Sequence, residues 1–318
     1  MWVAATRGHR ARSMIETRRD IVPAALDDER IDRVVAMITD ASRARVRTLI
    51  DGAHVRVDGV VVTKSAQRVH AGDEVVVELD EVVPALRADS TIQLTIVHED
   101  DDVVVVDKPA GLVVHPGAGH RDDTLVSALL ARYPEIVRTG DAQRPGIVHR
   151  LDKGTSGLLM VARSPRAYDS LVAQLSTRAV TRSYTALVCR SFDEREGVVD
   201  APIGRSSRVP TRMAVTPRGR AARTQYVVEQ RFAHPFKASL LSCRLESGRT
   251  HQIRVHLAAI SAPVLGDDRY GGRRVQVPMT RPFLHAARLG FVHPVTGDTL
   301  EFTSPLPSDL VAVLASFT

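Results

Sequence analysis

The sequence predicts an α+β protein in two parts, and three observations carry this. Its 318 residues suit about two domains of 100–200 residues each. Strand-like and helix-like apolar patterns are mixed, without the strict βαβ alternation of a doubly wound sheet. A helix–helix–hairpin pattern also precedes a longer region of different texture.

The elements follow in order. Asp27, Asp28 and Glu29 lead into IDRVVAMI, whose Ile31, Val34, Val35 and Ile38 keep a helical period. Asp40 or Ser42 suits the N-cap of a second short helix, ARVRTLIDG, which Gly52 ends. VRVDGVVV reads as a hairpin around Asp58-Gly59, and DEVVVEL as a strand after the Ala71-Gly72 turn. Residues 28–80 are thus expected to form a small module, after a tail over 1–27 and before a linker over 81–94 that contains Pro84. In the second domain, residues 95–318, TIVHED, DVVVVDKP and GLVVHPG read as strands. TLVSALLARYP reads as a helix that Tyr133-Pro134 ends. GLLMVARS is a strand and SPRAYDSLVAQLST a helix with Pro165 in its first turn. RSYTALVCR, TQYVVEQRF and ASLLSCRLES are strands, and RTHQIRVHLAAIS is a helix.

Composition narrows the function classes. Hydrophobic residues make up 44% and charged residues 25%, the mixture of a globular protein, which excludes disorder, collagen and coiled coil. This length buries a core without disulfide or metal staples. No apolar run approaches the ~20 residues of a membrane span, and Val103–Val106 and Val60–Val62 are only strand-sized. The start carries arginines but lacks the apolar segment of a secretory signal. Cys189 and Cys243 are too few for a disulfide framework or zinc site, so a reducing, cytoplasmic setting is expected. Met14 opens a stretch that reads like a natural start, and residues 1–13 are expected to be a misassigned start or a basic tail.

The net charge of +6 is unevenly spread. Residues 201–256 hold 11 Lys and Arg against Glu229 and Glu246, whereas the first 80 residues balance 13 basic against 13 acidic side chains. Only Lys64, Lys108, Lys153 and Lys237 are lysines, and the other 39 cations are arginines. Guanidinium forks suit phosphate contacts and base stacking, although a GC-rich genome favours arginine as well.

Familiar signatures fail. KGTSGL has Leu158 where a nucleophile elbow needs its second glycine, and Lys153 precedes the glycines that a phosphate loop places before its lysine. His251 and His256 are five apart, not four, and no HExxH occurs. Gly266-Asp267-Asp268 lacks partner acids at calcium-loop spacing. These histidines and carboxylates read as structural hydrogen-bonders, and no metal site is expected.

One block remains, RPGIVHRLDKGTSGLLMVA at 144–162, with Arg150, Asp152 and Lys153 between the apolar runs IVHRLD and GLLMVA. A polar turn between two strands is the plain reading. It also places Asp152 at the end of a strand, where a carboxylate is both held and exposed.

HRLDKGTSGLLMVA resembles the catalytic motif of the RluA/RluD-type RNA pseudouridine synthases, HRLDxxTSG. DKPAGLVVHPG at 107–117, TRSYTALV at 181–188, MAVTPRGRAARTQY at 213–226 and ESGRTHQIRVHLAAISAPVLGDDRYGG at 246–272 resemble further blocks of that family, in its order. SRARVRTLIDGAHVRVDG is similar to the S-four-type RNA-binding domain that precedes the catalytic domain in the RluD-like branch.

The resemblance implies a mixed, largely antiparallel central sheet with flanking helices after a small α/β RNA-binding module. It implies isomerisation of uridine to pseudouridine, with large-subunit ribosomal RNA as the first expected substrate. Transfer RNA, or an idle RNA-binding ribosome-assembly factor on the same fold, are the alternatives. No cofactor, metal or membrane is expected, and the chain is expected to act as a monomer.

By the same resemblance Asp152 contacts the target uridine, as nucleophile or as base. A carboxylate serves there only if ionised; a desolvated pocket disfavours that form and a nearby cation restores it. Arg254 of HQIRVH matches the family's cation. Tyr184 matches the tyrosine that stacks on the base and assists proton removal from carbon 5; a core strand tyrosine is its plain reading. Arg150 matches the wedge that fills the stack left by a flipped base. Arg43, Arg45 and Arg47 are expected along the RNA-facing helix, a solvated helix face being the plain alternative. Apart from the resemblance, the basic stretch 201–256 leads us to expect Arg208, Arg212 and Arg218 at phosphates. Gly154 departs from the polar residue frequent in the family and is expected to loosen the turn after Asp152 without loss of activity.

Overall fold

Alternation at two periods builds the molecule, and in the computed structural model residues 14–39, 41, 43–81, 86–115, 123–209 and 211–318 are described. The chain divides after Ala85 into two units.

In the first unit, β1 (Met14–Ile21), β2 (Glu29–Arg30), α1 (Ile31–Thr39), α2 (Arg43–Asp51), β3 (Val55–Val57), β4 (Val60–Val61), β5 (Arg68–Val69) and β6 (Glu74–Glu81) follow one another. The sheet runs β1-β6-β3-β4, and β2 pairs with β5. Ile31, Val34 and Val35 of α1 and Val46, Leu49 and Ile50 of α2 are buried with Val55, Val75 and Val77 of the sheet. Asp58 and Gly59 both have positive φ, 48° and 79°, the turn that joins two twisted strands in two residues.

β1 corrects the tail expected over 1–27. It pairs with β6 from Met14↔Glu81 to Ile21↔Glu74. Its sequence MIETRRDI hid the strand, because residues 17–21 are exposed and charge-rich, as an edge strand tolerates. Residues 1–13 and the expected caps Asp40 and Ser42 lie outside the described residues.

The second unit contains β7 (Thr95–Glu99), β8 (Val103–Lys108), α3 (Leu125–Arg132), β9 (Ser156–Ala162), α4 (Pro165–Ser176), β10 (Thr181–Val188), β11 (Glu196–Asp200), β12 (Ile203–Arg205), β13 (Met213–Val215), β14 (Arg223–Phe232), β15 (Ala238–Leu245), α5 (Gln252–Ala259), β16 (Leu284–Val292), β17 (Thr299–Thr303) and α6 (Ser308–Leu314). Its main sheet has the order β11-β14-β15-β10-β16-β9-β8-β7, with β17 beside β16. Every described strand pairing is antiparallel except β9 with β16, which lasts for His285↔Ser156 and Ala286↔Gly157. β17 then takes the rest of β16, from Arg288↔Thr303 onward.

Both faces of β8 and β9 are covered, which explains their unbroken apolar runs. Val104, Val106, Leu159 and Val161 pack with Leu125 and Leu129 of α3 and Ile253 and Leu257 of α5. Val103, Val105, Leu158 and Met160 pack with Ala167 and Leu171 of α4. Thr124 and Ser164 cap α3 and α4, accepting the amides of Ser127 and Ala167.

Two expected strands, GLVVHPG over its described residues 111–115 and IVHRLD, are loops. In GLVVHPG, the carbonyls of Val113 and Val114 accept the amides of Leu125 and Val126, and Gly111 N–H donates to Lys153; these backbone groups serve a helix start and a turn. IVHRLD makes one bridge, Ile147 with Val161. It covers the edge of β9 that β16 leaves after two residues: Ala162 N–H donates to Gly146, and Met160 N–H to the His149 ring.

Candidate active site

Asp152 stands on the loop before β9. Its carbonyl accepts the amide of Thr155 at 3.0 Å, turning the chain into the strand. Gly157 is required at the strand's start: its φ is 110°, and a Cβ there would overlap the backbone of Ala286 on β16. A second loop braces the turn from the side, where Gly111 N–H reaches the carbonyl of Lys153 at 2.7 Å. Lys108, fully buried at the end of β8, holds that loop by donating to the carbonyls of Pro109 and Leu112 at 2.8 and 2.9 Å. Burial pulls its ammonium down to about 7, against the opposing pull of Asp152.

Arg254 comes from the first turn of α5, which follows His251 in the left-handed region at φ 57°. Its Nη1 donates to Asp152 Oδ2 at 3.0 Å. Its Nε and Nη2 donate to the two oxygens of Asp267 at 2.7 and 2.9 Å, the planar fork that guanidinium and carboxylate favour. Asp267 is itself fixed by the amides of Arg269 and Tyr270. Burial opposes the charge on Arg254, but Asp267 and Asp152 outweigh it and hold its pKa above the ordinary arginine value. The Tyr270 ring lies 5.2 Å from the guanidinium, and its hydroxyl is 2.8 Å from His251 Nδ1. His251 Nε2 is 4.0 Å from the other oxygen of Asp152.

Asp152 therefore has one oxygen tied and one that accepts no hydrogen bond from the described residues. It lines a cavity of about 710 Å³ shared with Arg150, Arg182, Tyr184, His251 and Arg254. Tyr184 projects from the buried face of β10, and burial first, with Asp152 adding to it, raises its pKa above the ordinary phenol value. Arg150 is an exposed member of the cavity lining. His149 also lines the cavity; its Nε2 accepts from Met160 N–H, so Nδ1 carries the proton, buried and without a partner among the described residues. Burial drives its pKa down to about 3.

The structure thus brings Asp152, Arg254, Tyr184 and Arg150 together on one cavity, from three separate stretches of sequence. Arg45 and Arg47 are exposed on α2 of the other unit, Arg47 with Asp51 at 3.8 Å. The Arg43 side chain lies outside the described residues. Arg208, Arg212 and Arg218 are exposed around the β12–β13 hairpin. Gly154 faces Pro282, where an added Cβ would sit 3.0 Å from the proline ring.

Sequence reasoning passed over four members of this site. His251 and Asp267 read as background hydrogen-bonders because neither stands at metal-ligand spacing. Lys108 ends the run VVVVDK, and Arg182 alternates with Tyr184 and Ala186 along β10; a cation on a strand's buried face was the available signal.

Comparison with known proteins agrees with this geometry. The RNA pseudouridylate synthase family model matches residues 102–259, and the S4 domain model residues 29–75. An RNA pseudouridine synthase of Chloroflexus aurantiacus is 48% identical over 94% of this chain and 93% of its own. The ribosomal large subunit pseudouridine synthase D of Vibrio parahaemolyticus is 42% identical over 90% of each. Among solved structures, the human RNA pseudouridylate synthase domain containing 1 protein is similar at a TM-score of 0.57 and 29% identity, over 73% of this chain and 91% of that one. Similarity that spans nearly the whole chain, and includes the loop and helix that carry the Asp152–Arg254 pair, places the chain in the RNA pseudouridine synthase family.

Proposed function

We propose that this enzyme isomerises specific uridines of large-subunit ribosomal RNA, with Asp152 reacting at the target nucleotide. The observation that carries the site assignment is the Asp152–Arg254 contact of 3.0 Å inside a cavity large enough for a nucleoside. The ribosomal substrate is supported by relatives such as the large-subunit synthase of Vibrio parahaemolyticus and by the S4 match.

In the reaction the bond from uracil N1 to ribose C1′ breaks, the base turns, and C5 bonds to C1′. The C5 hydrogen leaves as a proton and N1 gains one, so atoms balance without a co-reactant. The target base must leave its stack to reach Asp152, at a few kcal/mol. Arg150, exposed beside the cavity, fills the vacated place, and stacking returns roughly 1–3 kcal/mol. Arg254 neutralises the reacting carboxylate while Asp267 fixes its direction. Tyr184 lies against the base, its phenol neutral at physiological pH and placed to relay the C5 proton. Arg45 and Arg47 add phosphate contacts from the S4-type module.

The expected set Asp152, Arg254, Tyr184 and Arg150 is complete without a residue from a second subunit, which supports action as a monomer. No described helix is long and apolar enough to cross a membrane, and the ribosomal substrate supports a cytoplasmic site of action. Pseudouridine mapping in cells lacking the gene tests the proposal: one or more large-subunit positions should revert to uridine and return on complementation. Loss confined to transfer RNA, or no loss, would refute it.

A further inference from the structure

We propose that Arg182 is the seat of an RNA phosphodiester adjoining the target uridine. Arg182 shares the buried face of β10 with Tyr184 and is 6% exposed. Among the described residues no carboxylate lies within ion-pair distance and its side chain forms no hydrogen bond; its Nε is wholly buried without an acceptor. Three other arginines lining the same cavity are ion-paired: Arg254 with Asp152 and Asp267, Arg178 with Glu246, Arg144 with Asp141; Arg150 and Arg249 have no such pair among the described residues but are exposed, so water solvates their charge.

A guanidinium stays protonated at any physiological pH, so burial cannot be relieved by losing the charge. Burial instead works against the ion, drawing its pKa below the usual arginine value. Folding alone gives no reason to place an unpaired cation here, since buried charges are ordinarily paired. The missing partner is then an anion that arrives in the cavity. The only anionic groups of RNA are its phosphodiesters, and a planar fork of donors matches two phosphate oxygens. Gly248 leaves room for the guanidinium at the cavity, since a Cβ there would sit 3.0 Å from Arg182 Nη1. The inference rests on the reading of this cavity as the uridine site.

The experiment measures melting of the free protein and binding of a large-subunit ribosomal RNA transcript over a salt series, for wild type, Arg182→Met and Arg182→Lys. Arg182→Met should melt higher than wild type, because an unpaired buried charge is replaced by an apolar chain of similar length. It should bind the transcript about tenfold more weakly, with a salt slope flatter by roughly 0.7–1, the change expected when one phosphate fewer is neutralised. Arg182→Lys keeps the charge and should keep the slope. An unchanged slope in Arg182→Met would overturn the proposal. So would stabilisation of wild type by inorganic phosphate with no slope difference between variants, which would mark a site for the free anion. Failure of wild type to form any pseudouridine in the transcript would instead refute the assigned substrate.

Discussion

Asp267 grips Arg254 by both Nε and Nη2, at 2.7 and 2.9 Å, and so leaves Nη1 alone to reach Asp152. The grip turns a flexible side chain into a fixed donor. Asp267 does not line the cavity and is a positioning residue. Asp267→Asn keeps the shape and removes one acceptor and the charge. Stability should fall by about 1–3 kcal/mol in urea titration, as for an imperfectly satisfied buried group. Because a misdirected group of about 1 Å costs on the order of 10²-fold in rate, single-turnover rate should fall by roughly that factor while RNA affinity holds. Equal loss of affinity would assign Asp267 to binding.

Tyr184 offers the opposite case. Its hydroxyl forms no hydrogen bond with the described residues, so Tyr184→Phe orphans nothing. The melting temperature should stay near wild type. Activity should fall by about 10²–10⁴, the range for a positioned proton-transfer group. Full activity in the Phe variant would leave Tyr184 as a stacking surface only.

Two buried bases contribute to the pH dependence of stability in separate windows. His149 is held near 3 when folded and titrates near its ordinary value of 6.5 when unfolded. The unfolded chain then binds more protons between those values, so stability is lost as pH falls through that window. Lys108 is held near 7 when folded against 10.5 when unfolded, so its penalty on folding is full below pH 7. In terms of stability, the unfolded chain binds the extra proton between those two values, and the cost of keeping Lys108 neutral when folded shrinks as pH rises through that window. Urea titrations should show His149→Gln less acid-sensitive than wild type between pH 6 and 4, a window taken from those shifts. Wild type should gain stability as pH is raised from 7 toward 10.5, and Lys108→Met should lack that gain. Parallel pH curves for variant and wild type would show that these groups do not titrate as described.

Much of this was legible in the residues. The helical period of Ile31, Val34 and Val35 and the Asp58-Gly59 turn report local physics that survives folding, and both stand in the structure. Asp152 and Arg254 were legible only through motif resemblance, because their meeting depends on a contact 102 residues apart in sequence. β1 escaped notice because an exposed edge strand has no apolar alternation to show. IVHRLD looked like a strand because Ile147, Val148 and Leu151 are apolar, yet it covers the edge of β9 that a short parallel pairing leaves open. Asp267 could not be weighed until the fold set it beside Arg254, since a carboxylate's role is decided by what it faces.

The exposed arginines of the β12–β13 region supply a separable electrostatic test. Changing Arg208, Arg212 and Arg218 together to Ala should weaken RNA binding uniformly across sequences. The salt slope should flatten by about 0.7–0.9 for each phosphate that is no longer neutralised. Melting should be unaffected, since all three are exposed. An unchanged slope would remove this region from the RNA interface.

The most direct test of the central claim is tritium release from ribosomal RNA labelled at uridine carbon 5, taken from cells lacking the protein, with wild type and Asp152→Asn compared at equal RNA binding. The account predicts release by wild type and none above background by Asp152→Asn. Release by both proteins would contradict the role given to Asp152, and release by neither would contradict the proposed reaction on this RNA.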